Sequence, residues 1–260
     1  MMSDKTASPS MVSALGIRRV GVEEPTAWLE AGWRDLWHNP VVSLSYGLVF
    51  AALGWALTFG LGAIGLGSLI LPLAGGFMLI GPLAAVGLYE VSRRHESGQP
   101  VDLSTALSAW RRNGDQIGLM GVVLLVTLFA WTQVALIIFA LFFSGAPPSL
   151  AAFGAQLVSS TDNVLFLAIG SAAGAVLAVV AFALSVVSLP MLLDRQVTVA
   201  DAILASLMAF RRNALVLTGW GITLTLLTAL GIATAFIGLI ITLPLAGHAS
   251  WHAYRALVRQ

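Results

Sequence analysis

No Asp, Glu, Lys or Arg occurs between residues 36 and 89, and three more charge-free runs follow at 116–161, 163–193 and 213–254. No other feature restricts the fold so strongly. A helix needs about 20 apolar residues to cross the hydrocarbon core of a bilayer. The first and last runs are long enough for two crossings each. The second holds one crossing and an outer loop with Pro147 and Pro148, and the third holds one. Inside lipid every backbone polar group must be satisfied within the protein, and the runs lack the strict alternation of barrel strands. The expected fold is therefore all-α, with six transmembrane helices. Composition agrees: the chain is 58% hydrophobic and 10% charged, where soluble domains carry about 25% charge.

The basic residues set the expected orientation. Lys5, Arg18, Arg19 and Arg34 precede the first span. Arg93, Arg94, Arg111 and Arg112 lie between the second and third. Arg195, Arg211 and Arg212 lie between the fourth and fifth, and Arg255 and Arg259 follow the sixth. The three other connections contain no Lys or Arg; Asp162 is the one charge expected on that side. Positive charge marks the cytoplasmic face, so both termini are expected in the cytoplasm. Trp28, Trp33, Trp37, Trp110 and Trp251 fall near that interface, where indole rings anchor helices. Residues 1–24 read as a polar, disordered tail and 25–260 as a single membrane domain.

"SAWRRNG" at 108–114 returns as "MAFRRNA" at 208–214. Each copy ends a short amphipathic helix. Asp102 suits an N-cap ahead of Leu103, Ala106, Leu107 and Trp110; Thr198 with Asp201 resembles a capping box ahead of Ile203, Leu207 and Phe210. Before the first span, Pro25 suits a first turn ahead of Leu29, Trp33, Leu36 and Trp37. Such helices lie flat in the interface. Arg111, Arg112, Arg211 and Arg212 then complement helix C-termini and can reach lipid phosphates or another anion. Asn113 and Asn213 turn the chain and cap the next helix. "LPLAG" at 71–75 recurs at 243–247, with "SLPML" at 188–192 as a weaker copy. Pro72, Pro82, Pro190 and Pro244 are expected to kink their spans. The unit is an interfacial helix and a helical hairpin, used three times in parallel at about 25–94, 100–195 and 198–256.

"GWRDLWHNPVVSLSYG" (32–47), "GPLAAVGLYEVSRR" (81–94), "LSAWRRN" (107–113), "SLPMLLDR" (188–195) and "GHASWHAYR" (247–255) resemble a bacterial integral-membrane family, domain of unknown function 2189. The resemblance covers about residues 17–258. It implies a multi-span inner-membrane protein and supplies no catalytic residues. Some members of that family carry a cytochrome c oxidase label, which directs attention to His248 and His252, four apart on one helix face. Four histidines are too few for a haem–copper centre, and interfacial hydrogen bonding is the plainer role for this pair. No cofactor is expected.

The remaining candidates are structural. Gln133 is the most polar deep side chain and could bond across helices. Gly170, Gly174 and Ala178 form a small-residue ridge suited to close packing or to homo-oligomer formation. Glu90 is expected in a salt bridge with neighbouring arginines or His252. No ionisable side chain lies at mid-membrane, where coupled transport places its carriers of charge. No nucleophile elbow, phosphate loop or catalytic carboxylate pair occurs. A net charge of +1 gives nucleic acid no basic surface, and the absence of cysteine excludes thiolate chemistry. The expected function is a non-enzymatic accessory, assembly or lipid-organising component, with the bilayer and either a larger complex or a homo-oligomer as partners. The alternatives are a facilitator for a neutral or apolar solute and a haem-bearing redox subunit.

Overall fold

The computed structural model describes residues 16–67, 70–143 and 161–259. Residues 1–15, the loop with Pro147 and Pro148, and the side chains of Pro72 and Asp162 lie outside the described set. Eleven α-helices occur among the described residues. They are α1 (Glu24–His38), α2 (Pro40–Ala63), α3 (Ile70–Ala84), α4 (Val86–Glu96) and α5 (Leu103–Ser108), which runs into a 3₁₀ turn at Ala109–Asn113. Then come α6 (Gly114–Phe142), α7 (Thr161–Ser185), α8 (Ser188–Asp194), α9 (Val199–Arg212), α10 (Ala214–Ala233) and α11 (Leu239–Leu257). No strand is present among them; one isolated bridge pairs Ile17 with Val258.

Five helical segments are long and apolar enough to cross a membrane: Pro40–Ala63, Leu73–Glu96, Leu103–Phe142, Asn163–Asp194 and Ala214–Ala233. Helix α11 spans 19 residues but falls short in hydropathy. Its first half is apolar, whereas its second half carries His248, Ser250, His252 and Arg255.

Local sequence explains where the helices start and break. Pro25 stands in the first turn of α1 and Pro40 in that of α2, where a missing N–H costs nothing. The Asp102 carboxylate accepts the Thr105 amide at 2.7 Å and caps α5. The Thr198 hydroxyl accepts the Asp201 amide at 3.2 Å and caps α9. The second and fourth spans both break close to a proline. One turns at Ala85, three residues after Pro82, and the other at 186–187, ahead of Pro190. At the second break Ser206 of α9 repairs the ladder. Its hydroxyl accepts the Val187 amide at 3.1 Å and donates to the Ala183 carbonyl at 2.7 Å. Pro244 instead stays within a continuous α11.

Neither Asn113 nor Asn213 caps the following helix by its side chain. Each instead grips a distant backbone. Asn113 donates to the Val197 carbonyl at 3.2 Å, and Asn213 holds residues 18–20.

The core lies toward the charged end of the bundle. Trp220, Trp251, Tyr254, Leu189, Leu192 and Leu193 are fully buried there. Helix α1 packs along α11, α9 packs on α7 and α8, and the ends of α4, α8 and α11 meet. The spans themselves show apolar side chains outward, as in Phe59, Phe129, Leu141, Val176 and Leu226. An apolar outer surface is what lipid requires.

Each short helix preceding a span buries one face against the protein, and much of the stripe expected to face the bilayer stays outside that face. Helix α1 buries Trp28, Gly32 and Leu36 against the protein and leaves Trp33 and Trp37 about half exposed. Helix α9 buries Ala202, Ala205, Ser206 and Ala209. Around α5, Ala106 and Ala109 are buried while Leu103, Leu107 and Trp110 are exposed. Around α5 small residues allow close approach to the bundle, and the bulky Leu103, Leu107 and Trp110 are left on the outer side.

Candidate functional site

Polar chemistry concentrates where α1, α2, α4 and α11 converge. Asp35 sits one turn before the end of α1, and His38 ends that helix. His95 lies near the end of α4, and His248 and His252 are one turn apart on α11. All four histidines of the chain thus gather around one carboxylate. Asp35 Oδ2 meets His252 Nε2 at 2.8 Å, and Oδ1 meets His95 Nδ1 at 3.4 Å. The His38 and His95 rings lie 4.6 Å apart between centroids. His95 Nε2 is buried without a hydrogen-bond partner.

His248 is fully buried. Its Nε2 is 3.0 Å from Ser43 Oγ and its Nδ1 is 2.8 Å from Ser92 Oγ. A neutral imidazole has one donor and one acceptor nitrogen, and serine hydroxyls can meet either tautomer. Both nitrogens are therefore engaged, and neither is available to ligate haem iron. His252 has Nε2 on Asp35. The pair singled out as haem ligands instead ties α11 to α1, α2 and α4. Among the described residues, no group of three or more His, Cys, Asp or Glu side chains is arranged to hold a metal ion.

Burial alone would push the Asp35 carboxyl up, but hydrogen bonds from His252, His95 and Ser92 outweigh it. They hold the group well below the usual carboxylate range. The sign of the pH effect follows. A carboxylate depressed in the folded state contributes its full stability above its unfolded value of about 4 and loses it as pH falls toward the folded value. Asp35→Asn is expected to cost about 2 kcal/mol at neutral pH, the scale of hydrogen bonds to a charged group. Thermal unfolding in mild detergent between pH 7 and 3 checks this. Wild type should lose stability more steeply than the variant below about pH 4, and parallel profiles would refute the assignment.

A second network joins the ends of α4, α8 and α11. Glu90 is almost fully buried and accepts from Arg93 Nε at 2.7 Å, Arg93 Nη2 at 2.8 Å and Arg94 Nε at 2.8 Å. Arg112 stands 3.8 Å away and also donates to the Leu193 carbonyl at 3.1 Å. Glu90 thus pairs with arginines and not with His252. Asp194 accepts the Tyr254 hydroxyl at 2.8 Å and lies 3.6 Å from Arg255. Glu96 accepts from Arg255 at 2.8 and 3.0 Å and from the Trp251 indole at 3.2 Å. A cleft of about 200 Å³ opens here, lined by Arg93, Glu96, Ser97, Asp194, Trp251 and Arg255. Its cations are matched by carboxylates, so the network binds three helix ends to one another.

The other candidates are dispersed. Arg111 is exposed, with its guanidinium 5.5 Å from the Trp110 ring centroid. Arg211 and Arg212 are exposed at the end of α9. Gln133 faces outward on α6, not into the bundle. On α7, Gly174 leaves room for the Trp131 ring, which its Cβ would meet at 3.1 Å. Gly170 has open space beside it and Ala178 is exposed.

Asp35, Ser43, Ser92 and His95 escaped sequence reasoning because each is unremarkable locally and its partners lie on other helices. Glycine held the missed close contacts. A Cβ on Gly32 would meet the Ala249 amide nitrogen at 2.6 Å, and one on Gly47 would meet the Ile240 carbonyl oxygen at 2.5 Å.

No curated protein matches the chain, and no solved structure matches it. A family model does match the stretch running from the start of α3 to the end of α8. Residues 70–194, which carry Glu90, its arginine partners and Asp194, match the model of the predicted integral membrane proteins of DUF2189.

Proposed function

We propose that this chain is a non-enzymatic component of the bacterial inner membrane that organises lipid or serves as an accessory or assembly factor of a larger complex. In this reading α11 is the sixth span, three hairpins with their preceding helices form parallel repeats, and both termini are cytoplasmic. One observation carries it. Trp33, Trp37, Leu103, Leu107 and Trp110 are exposed on helices whose opposite faces are buried, at the end of the bundle that carries the arginines. Bulky apolar side chains beside cations are what an interfacial helix offers a bilayer. The engagement of His248 by two serines supports a framework role for the polar cluster.

Native mass spectrometry of protein gently solubilised from its own membranes tests this reading. Co-purifying lipid or a defined partner subunit is the expected result. A stoichiometric haem would overturn it. A reporter fused to either terminus should be active only as a cytoplasmic protein, and activity confined to the opposite side would refute the topology.

A further inference from the structure

We infer that the seam between the segment preceding α1 and the junction of α9 with α10 binds the phosphate of an acidic phospholipid headgroup. The inference rests on the interfacial placement of the basic end proposed above, and it adds a site and a ligand class.

The seam is built by long-range contacts. Asn213 is buried between α9 and α10. Its Oδ1 accepts the Val20 amide at 3.0 Å, and its Nδ2 donates to the Arg18 carbonyl at 2.9 Å. On the other side, the Arg18 amide donates to the Leu257 carbonyl at 2.8 Å, and the Arg259 amide donates to the Gly16 carbonyl at 2.8 Å. Residues 16–20 are thereby fixed against the last turn of α9 and the end of α11. The result sets Arg18 and Arg19 beside Arg211 and Arg212, and all four are exposed.

The charge balance of this seam differs from that of the networks around Glu90, Asp194 and Glu96. Arg93, Arg94, Arg112, Arg195 and Arg255 each lie within 4 Å of a carboxylate. Arg18, Arg19, Arg211 and Arg212 make no ion pair among the described residues. Glu23 and Glu24, the nearest carboxylates in sequence, pair with none of them. The sister pair at 111–112 is already committed, Arg112 to Glu90 and Arg111 to Trp110. Four exposed arginines brought to one seam, with no carboxylate paired to them among the described residues, make a region of positive potential that an anion neutralises. Guanidinium forks match phosphate oxygens two at a time. At a membrane surface, the phosphate in greatest supply belongs to acidic lipid, and each arginine there adds to the attraction.

The test is competition between lipids for purified, delipidated protein in non-ionic detergent, read by native mass spectrometry. Phosphatidylglycerol and phosphatidylcholine are offered at equal concentration. Wild type should retain phosphatidylglycerol about ten-fold over phosphatidylcholine, less so as salt rises. Arg18→Gln/Arg19→Gln/Arg211→Gln/Arg212→Gln should lose that preference. Unchanged thermal unfolding shows that the four-fold variant is folded. If it is not, the corresponding four Arg→Lys changes replace it and should weaken the preference without abolishing it. An unaltered preference in the folded variant would overturn the site. Displacement of phosphatidylglycerol by an equal concentration of inorganic phosphate would also overturn it, by assigning a soluble anion. The accessory reading is judged separately, by the partner mass and the topology reporters.

Discussion

Glu90→Gln is expected to cost about 3–5 kcal/mol, the scale of breaking a buried ion pair from one side. The carboxylate accepts three short hydrogen bonds from Arg93 and Arg94 and faces Arg112, with its own side chain 2% exposed. Glutamine keeps the shape, removes the charge, and leaves three guanidinium groups facing one another. Because α4 meets α8 and α11 at this point, the loss is felt by three helix ends. The unfolding midpoint in mild detergent should fall by about 10 °C. Adding Arg94→Gln to Glu90→Gln should restore part of the loss, since it removes one of the unpaired cations. A midpoint unchanged within about 1 °C would show that the network is solvated and contributes little.

The second large effect belongs to Gly47. A Cβ there would lie 2.5 Å from the Ile240 carbonyl oxygen and 2.8 Å from both the Ile240 carbonyl carbon and Cα. These are backbone atoms of a helix and cannot swing aside. Pro244 lies four residues after Ile240 and, having no N–H, leaves that carbonyl without its intrahelical donor. The α-carbon of Gly47 packs against this oxygen, a contact that a side chain would displace. Gly47→Val is expected to separate α2 from α11 and to cost about 3 kcal/mol or more. Gly219→Val is the matched control, since nothing lies within 4 Å of a Cβ at Gly219. The yield of monodisperse protein and its unfolding midpoint decide the matter. If the two variants behave alike, the close crossing is not important for stability.

Spans and helix starts were legible in the sequence because they depend on neighbours along the chain. Of the six spans expected from the charge-free runs, five meet the length and hydropathy of a crossing. Asp102, Thr198 and Pro25 marked helix starts that the structure has. The buried stripe of α1 was not legible. That helix carries apolar residues on two faces, and nothing local distinguishes Trp28 and Leu36, which face the protein, from Trp33 and Trp37, which do not. Gln133 was assigned inward on polarity alone, yet a helix surrounded by apolar neighbours on all sides has no sequence signal for its rotation. With 26 glycines in the chain, no pattern singled out Gly32 and Gly47. The histidine cluster was hidden because its members come from α1, α4 and α11 and their partners Asp35, Ser43 and Ser92 from α1, α2 and α4.

The joining of the first helices to the last one has a consequence for synthesis. Ser43 and His248 are 205 residues apart, and Ser92 and His248 are 156 apart. Helices α1, α2 and α4 therefore leave the ribosome long before α11 exists to cover them. Until then Asp35, Ser43 and Ser92 lack their α11 imidazoles, and Gly32 and Gly47 lack the backbone they are shaped to meet. A nascent chain in this state shows unpaired polar groups and open small-residue grooves to its surroundings. Contacts of such sequence separation form late and slowly. Chains truncated before residue 239 should consequently insert their early spans yet remain open to quality-control proteolysis, and closure should come only with the final helix.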